Sequence, residues 1–299
     1  MRIIENTLDF NIEDSSCVAI GKFDGIHRGH QKLISRITEA KADGYLAVVF
    51  TFDPSPAAFF GSGKYRGLTT KAEKRRIFEK LGVDVLVEYP LTKESASVSP
   101  EDFAQKILIE KLHAKQIVCG SDFTFGDKGS GNVEMLRRYG RNKGFEVIVC
   151  DKVRCMGEEI SSSLIRDEVC AGHMELACEY IGAPYCVSGI VTQGRKLGRN
   201  LGMPTVNQIP EEDKLLPPFG VYKSVVSYKG EHYHGITNVG VKPTVTDENK
   251  PVVETYIRDF DRDIYGEYIS VSLMHFSRPE MKFASVEELK EQLKKDLEG

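Results

Sequence analysis

The stretch Gly21-Lys22-Phe23-Asp24-Gly25-Ile26-His27-Arg28-Gly29-His30 constrains this chain more than any other. An apolar run, Cys17-Val18-Ala19-Ile20, leads into it and reads as a short buried strand, and Leu33, Ile34 and Ile37 follow at helical spacing. A glycine-rich turn therefore joins a strand to a helix, with His27 and His30 where the helix begins. A helix start offers unpaired N–H groups and a partial positive charge to an anion. Glycine lets the backbone come close to it. By residue type, the two histidines suit hydrogen bonding to nearby backbone, metal ligation or contact with a phosphate, to which they bring hydrogen bonds or charge. The strand and the glycines strengthen the phosphate reading, and no third ligand accompanies the pair.

The first 180 or so residues alternate strand and helix patterns. Strands are predicted at 46–50, 83–87, 116–119 and 145–149. Thr70 and Glu73 form a capping box before a helix through Ile77, Phe78 and Leu81. Ser99 caps another, with Pro100 at its first position and Ile107, Leu108 and Leu112 on its apolar side. Val133, Leu136 and Tyr139 mark a third. Repeated βα units imply an α/β fold with a doubly wound, mostly parallel, Rossmann-like sheet. Ligands of such sheets sit beyond the carboxyl ends of the strands. The glycine turn, the Pro/Gly-rich loop from Asp53 and the loop from Gly120 to Gly126 all leave those ends.

Two helical segments run from Ser161 to about Ile181, and Gly182-Ala183-Pro184 breaks the pattern. The boundary is placed there, giving domains 1–182 and 183–299. Strands at 186–192, 221–228, 233–239, 252–258 and 268–274 predict a small antiparallel β-barrel. A closing helix is expected, with Ser285 and Glu288 as its capping box and Val286, Leu289, Leu293 and Leu297 on its packing face.

With 41% hydrophobic residues over 299 positions, the chain can bury a full core without disulfides or metals. A net charge of −4 argues against coating nucleic acid. Seven cysteines, none in a C-x-x-C pair, read as mostly buried free thiols. The N-terminus lacks a signal-peptide pattern, and no run approaches the ~20 apolar residues of a membrane span. A cytoplasmic protein without a membrane partner is expected. The oligomeric state is left open.

Residues 21–30 resemble the HxGH signature of nucleotidyltransferases. The longer form with Phe23-Asp24-Gly25 resembles the adenylyltransferase half of the bacterial bifunctional riboflavin kinase/FAD synthetase family. Thr51-Phe52-Asp53-Pro54-Ser55-Pro56, Asp122-Phe123-Thr124-Phe125-Gly126 and Ile160-Ser161-Ser162-Ser163-Leu164-Ile165-Arg166 resemble further motifs of that family, in the same order. The resemblance implies that His27 and His30 stabilise the transition state at the α-phosphorus of ATP. Gly21, Phe23, Asp24, Gly29, Ser162, Ser163 and Arg166 would hold the nucleotide, Arg166 on its phosphates. Asp122 and one or both of Phe123 and Phe125, which by residue type alone read as core aromatics, would shape the flavin pocket. FMN attacks, FAD forms and pyrophosphate leaves.

The second half carries Gly194-Arg195-Lys196-Leu197-Gly198-Arg199-Asn200-Leu201-Gly202, then Met203 and Pro204-Thr205-Val206-Asn207. A basic glycine loop suits phosphates, although it lacks the G-K-[ST] of a P-loop. The stretch resembles the riboflavin kinase signature, where the tetrad is P-T-A-N. The resemblance implies that Gly194, Lys196, Gly198 and Gly202 cradle ATP, that Thr205 and Asn207 hold Mg²⁺ as oxygen ligands, and that Glu254 accepts the riboflavin 5′-hydroxyl proton. Arg278 would lie near the flavin or nucleotide. Riboflavin, FMN, FAD and ATP are the implied partners. Three positions depart from the family pattern: Ser55 for histidine, Thr124 for arginine and Val206 for alanine. A binding-only regulator, or a kinase with an impaired adenylyltransferase half, stands as the alternative.

Overall fold

The computed structural model describes residues 1–193, 204–241 and 250–281, with 283, 288, 291, 292, 295 and 296 beyond them. The chain divides into two compact units, Met1–Ser161 and Ser162–Gly299.

The first unit runs β1 (Arg2–Glu5), β2 (Ser16–Ile20), α1 (Arg28–Glu39), β3 (Leu46–Asp53), α2 (Pro56–Phe60), α3 (Lys71–Lys80) and β4 (Val85–Pro90). It continues through α4 (Lys93–Ala96), α5 (Pro100–Asp102), β5 (Ala114–Gly120), β6 (Thr124–Phe125), β7 (Gly131–Asn132), α6 (Val133–Lys143), β8 (Glu146–Cys150), β9 (Arg154–Cys155) and β10 (Glu158–Glu159). Six strands form one parallel sheet in the order β1-β4-β3-β2-β5-β8. Side chains alternate across it and feed a core on each face. Val18, Ile20, Val48 and Phe50 join one core; Cys17, Ala19, Ala47 and Val49 join the other.

The chain leaves β2 for β3 on one side and later returns to β5 on the other. The carboxyl end of β2 is therefore the switch point, where a crevice opens. The glycine turn, the Asp53 loop and the Asp122 loop leave three neighbouring strands there. The helix predicted after Ser99 starts as expected, with Ser99 Oγ accepting from Asp102 N at 3.0 Å. From Phe103 to Lys111 it widens into a π-helix that buries Phe103, Ala104, Ile107 and Leu108.

An ion network closes one side of the sheet. Lys71 on α3 reaches Asp53 at 2.6 Å, Glu5 at 3.0 Å and Glu88 at 3.2 Å. Arg75 pairs with Glu5 at 2.6 Å and with the buried Glu88. Three strand ends and α3 are thus held by complementary charge, and desolvated Glu88 has the partners it needs.

The second unit begins with α7 (Ser162–Ala171) and α8 (Met174–Ile181), one helical pair ahead of the break at Pro184. α8 packs against the barrel strands, and its Cys178 Sγ accepts from Tyr185 N at 3.3 Å. The barrel is closed, with six strands: β11 (Tyr185–Thr192), β12 (Thr205–Gln208), β13 (Gly220–Tyr228), β14 (Glu231–Val241), β15 (Pro251–Ile257) and β16 (Tyr268–Pro279). β12 is an addition to the five predicted strands. Thr237 bonds Ser224 at 2.8 Å and Thr255 at 2.9 Å, which satisfies three buried hydroxyls inside the barrel. Of the closing helix, Glu288, Glu291, Gln292, Lys295 and Asp296 are helical, while Ser285 and the four apolar positions lie outside the described residues. All seven cysteines are free, but only Cys17, Cys119 and Cys150 are fully buried.

Candidate functional site

The turn after β2 is shaped from beneath. Gly21 N donates to Phe50 O at 3.2 Å. Phe23 and Ile26 take left-handed backbone angles, φ +49° and +40°, and bury their side chains completely. The Phe23 ring packs edge-on against Phe78 at 5.5 Å and lies 5.2 Å from the His30 ring. Its side chain belongs to the core, which leaves its backbone for any nucleotide contact. Asp24 is also buried. Its carboxylate accepts from Leu68 N at 2.8 Å and Tyr65 Oη at 2.9 Å, and so pins the turn to the segment before α3.

His27 is the N-cap residue of α1, and its side chain makes no capping bond. Its ring stacks on His30 at 3.7 Å and 24°. A Cβ on Gly29 would stand 3.1 Å from the His27 ring, so glycine makes room for the pair. Nδ1 of each histidine is buried with no hydrogen-bond partner among the described residues. Burial pushes His27 down to about 4 against the opposing pull of Asp24. Burial, then His27, then Lys74 hold His30 well below the usual range. Both are neutral near pH 7. Of the two contributions expected of them, hydrogen bonds or charge, burial favours the hydrogen bonds.

A stability prediction follows from His27. Unfolded, it titrates near 6.5; folded, near 4. The unfolded state therefore binds more protons between these values. Stability is full above pH 6.5 and falls by on the order of 3 kcal/mol as pH drops to 4. Urea unfolding of His27→Phe across that range should give a shallower decline than the parent chain.

At the end of β5, Asp122 is exposed and faces Lys152 at 3.5 Å. Phe125 is 5% exposed and packs with Phe103 at 5.7 Å, so it belongs to the core. Phe123 stacks on it at 5.6 Å and 10°, half-buried. Gly126, at φ +73°, passes Pro100 so closely that a Cβ would lie 2.7 Å away. Thr124 is exposed. Ser55, the other departure in this unit, caps α2 by accepting from Ala58 N at 3.3 Å.

In the second unit, Thr205 Oγ1 donates to Glu254 Oε1 at 2.7 Å. Asn207, buried and on the same face of β12, stands opposite Glu254 in the β12–β15 register. A cavity of about 370 Å³ opens beside Thr205, walled by Pro204, Val206, Ile257 and residues 260–265. Its Arg262 pairs with Glu231 at 2.9 Å between the Tyr233 and Phe260 rings. The sequence reading missed this wall; the mixed Phe260-Asp261-Arg262-Asp263 run was its only signal. Arg278 has partners within the chain. It makes a bidentate pair with Asp296, at 3.0 and 2.7 Å, and sits 5.8 Å from the Phe283 ring. Ser162, Ser163 and Arg166 occupy the first turns of α7. Gly194, Lys196, Gly198 and Gly202 lie outside the described residues.

A family model described as FAD synthetase matches residues 10–164, and one described as riboflavin kinase matches 181–299. A bifunctional riboflavin kinase/FMN adenylyltransferase of Listeria monocytogenes is 36% identical over 97% of this chain and 93% of its own length. Its Bacillus subtilis namesake is 36% identical over 94% and 90%. The chain belongs to the bifunctional riboflavin kinase/FMN adenylyltransferase family. It is an enzyme with both activities: it phosphorylates riboflavin to FMN and adenylylates FMN to FAD, with ATP as donor in each. The regulator alternative is not favoured. A crystal structure described as a macrolide-efflux protein from Streptococcus pneumoniae matches with a TM-score of 0.87 at 33% identity, covering 99% of this chain and 97% of that one. No helix among the described residues is long and apolar enough to cross a membrane.

Proposed function

We propose that residues 1–182 carry adenylyl transfer and residues 183–299 the kinase reaction, each with its own set of side chains. In the first, the FMN phosphate oxygen attacks the α-phosphorus of ATP and the bond to the β-phosphate oxygen breaks. His27 and His30 donate hydrogen bonds to the oxygens where charge develops. The stacked, unpartnered imidazoles of the preorganised turn are the observation that carries this reading. Gly21 and Gly29 admit the phosphates, and Asp24 holds the turn. Ser162, Ser163 and Arg166 join the ATP phosphates on the strength of their motif. Phe123 and Asp122 meet the flavin.

In the kinase reaction Glu254 takes the proton of the riboflavin 5′-hydroxyl as the hydroxyl oxygen attacks the γ-phosphorus, the bond from that phosphorus to the β–γ bridging oxygen breaks, and ADP leaves. Glu254 already accepts a hydrogen bond from the Thr205 hydroxyl, so the carboxylate stands where a hydroxyl can reach it. Mg²⁺ fits this place: the Thr205 hydroxyl and the Asn207 amide oxygen, on one face of β12, are hard oxygen ligands, and Glu254 beside them is left to act as the base. When bound, the ion offsets the charge of the polyphosphate. The glycine-rich stretch from Gly194 to Gly202 cradles that polyphosphate. A cytoplasmic setting suits the seven free cysteines.

With riboflavin, ATP and Mg²⁺, chromatography should resolve FMN first and FAD later. Chelating the divalent cation should stop both products. Full turnover in its absence would remove Mg²⁺ from the scheme.

A further inference from the structure

Helix α3 brings three cations, Lys71, Lys74 and Arg75, to the end of the sheet where the glycine turn emerges, and their surroundings differ. Lys71 and Arg75 are committed to Glu5, Asp53 and Glu88. Lys74, half-buried, has no ion pair and no side-chain hydrogen bond among the described residues.

Its direction follows from the helix. Lys74 and Phe78 are four residues apart and share one face of α3. Phe78 packs on Phe23, and Phe23 on His30. The start of α3 is tied to the same turn, because Gly25 N donates to Thr69 Oγ1 at 3.2 Å and Leu68 N to Asp24 at 2.8 Å. The face that bears Lys74 is therefore turned toward the histidines. Its charge is felt there, since Lys74 is one of the groups that hold His30 neutral, after burial and His27. A half-buried ammonium with no ion pair among the described residues, beside two uncharged imidazoles whose Nδ1 atoms have no partner there, is an arrangement that a polyanion completes.

We propose that Lys74 binds the polyphosphate of ATP in the adenylyl-transfer site, holding the phosphates that leave as pyrophosphate. Asp24 partly offsets positive charge at this turn, and neutral histidines supply none, so Lys74 provides a cation where the leaving group gathers negative charge. The proposal rests on the reading that His27 and His30 face the α-phosphorus.

The test uses the full chain with Lys74→Met, Lys74→Gln and Lys74→Arg, assayed for FAD formation from FMN and for the reverse reaction from FAD and pyrophosphate. Loss of one charge-assisted contact should raise KM for ATP and for pyrophosphate by about 10- to 100-fold in the Met and Gln variants. KM for FMN should stay unchanged, Lys74→Arg should recover most of the loss, and FMN formation from riboflavin should proceed at the parent rate. A purely structural role would instead lower the melting temperature and move the kinetic constants of Arg and Gln variants alike. Unchanged KM for ATP and pyrophosphate, or Gln performing as well as Arg, overturns the proposal. His27→Ala run alongside separates the two layers. If it leaves FAD formation intact, the histidine reading itself fails; if it removes FAD formation while Lys74→Gln behaves as the parent, only Lys74 is wrongly assigned.

Discussion

His27→Ala is expected to abolish FAD formation and leave FMN formation intact. The ring is buried, stacked on His30 at 3.7 Å, and neutral, so its contribution is a fixed hydrogen bond rather than a mobile charge. Removing one such donor costs about 100- to 1,000-fold in rate. The loss is greater here because His30 also loses the ring that holds it. Riboflavin and ATP supplied together, with products separated by chromatography, give the readout: FMN accumulates and FAD does not appear. Loss of both products in a folded protein would show that the two reactions share this side chain.

Glu254→Gln should do the opposite. Glutamine keeps the oxygen that accepts from Thr205, so the β12–β15 geometry survives, but it no longer takes a proton. General-base loss lowers the rate by about 100- to 10,000-fold. With riboflavin as substrate both products should disappear, and FAD should return when FMN is supplied directly. FMN formation at the parent rate would remove Glu254 as the base and leave it as a partner of Thr205 alone.

Much of the fold was legible because its strands obey a simple rule. β2 is buried at every position, and a four-residue apolar run followed by helical spacing admits few other readings. Burial within β15 alternates, with Val253, Thr255 and Ile257 inside, as the sequence pattern requires. The elements that escaped are those where the rule is diluted. β1 buries only Ile4 fully, since it is an edge strand in a network of charge. β12 has four residues and follows a polar glycine-rich stretch that carries no strand period.

The sites were legible as motifs and not as environments. Phe123 and Phe125 look alike in sequence, yet one is half-buried beside the loop and the other lies in the core against Phe103. Arg278 meets Asp296 eighteen positions later, a pairing that no local pattern anticipates. The neutrality of the histidines comes from burial, which belongs to the assembled sheet and helix. Lys74 differs from Lys71 only through what surrounds each.

Phe23 and Ile26 carry a wider lesson. Each adopts a backbone angle that resists its side chain, at about 1–3 kcal/mol, and each buries a large apolar group worth about 1.5–3 kcal/mol. The two effects are of similar size, so the turn keeps its shape only while the core beneath keeps its grip. The reach of the imidazoles is then a property of hydrocarbon contact several ångströms below them. Sequence change at this turn is policed from the inside: a neutral-looking swap of one hidden aromatic would slacken the backbone and spoil the aim of residues it never touches.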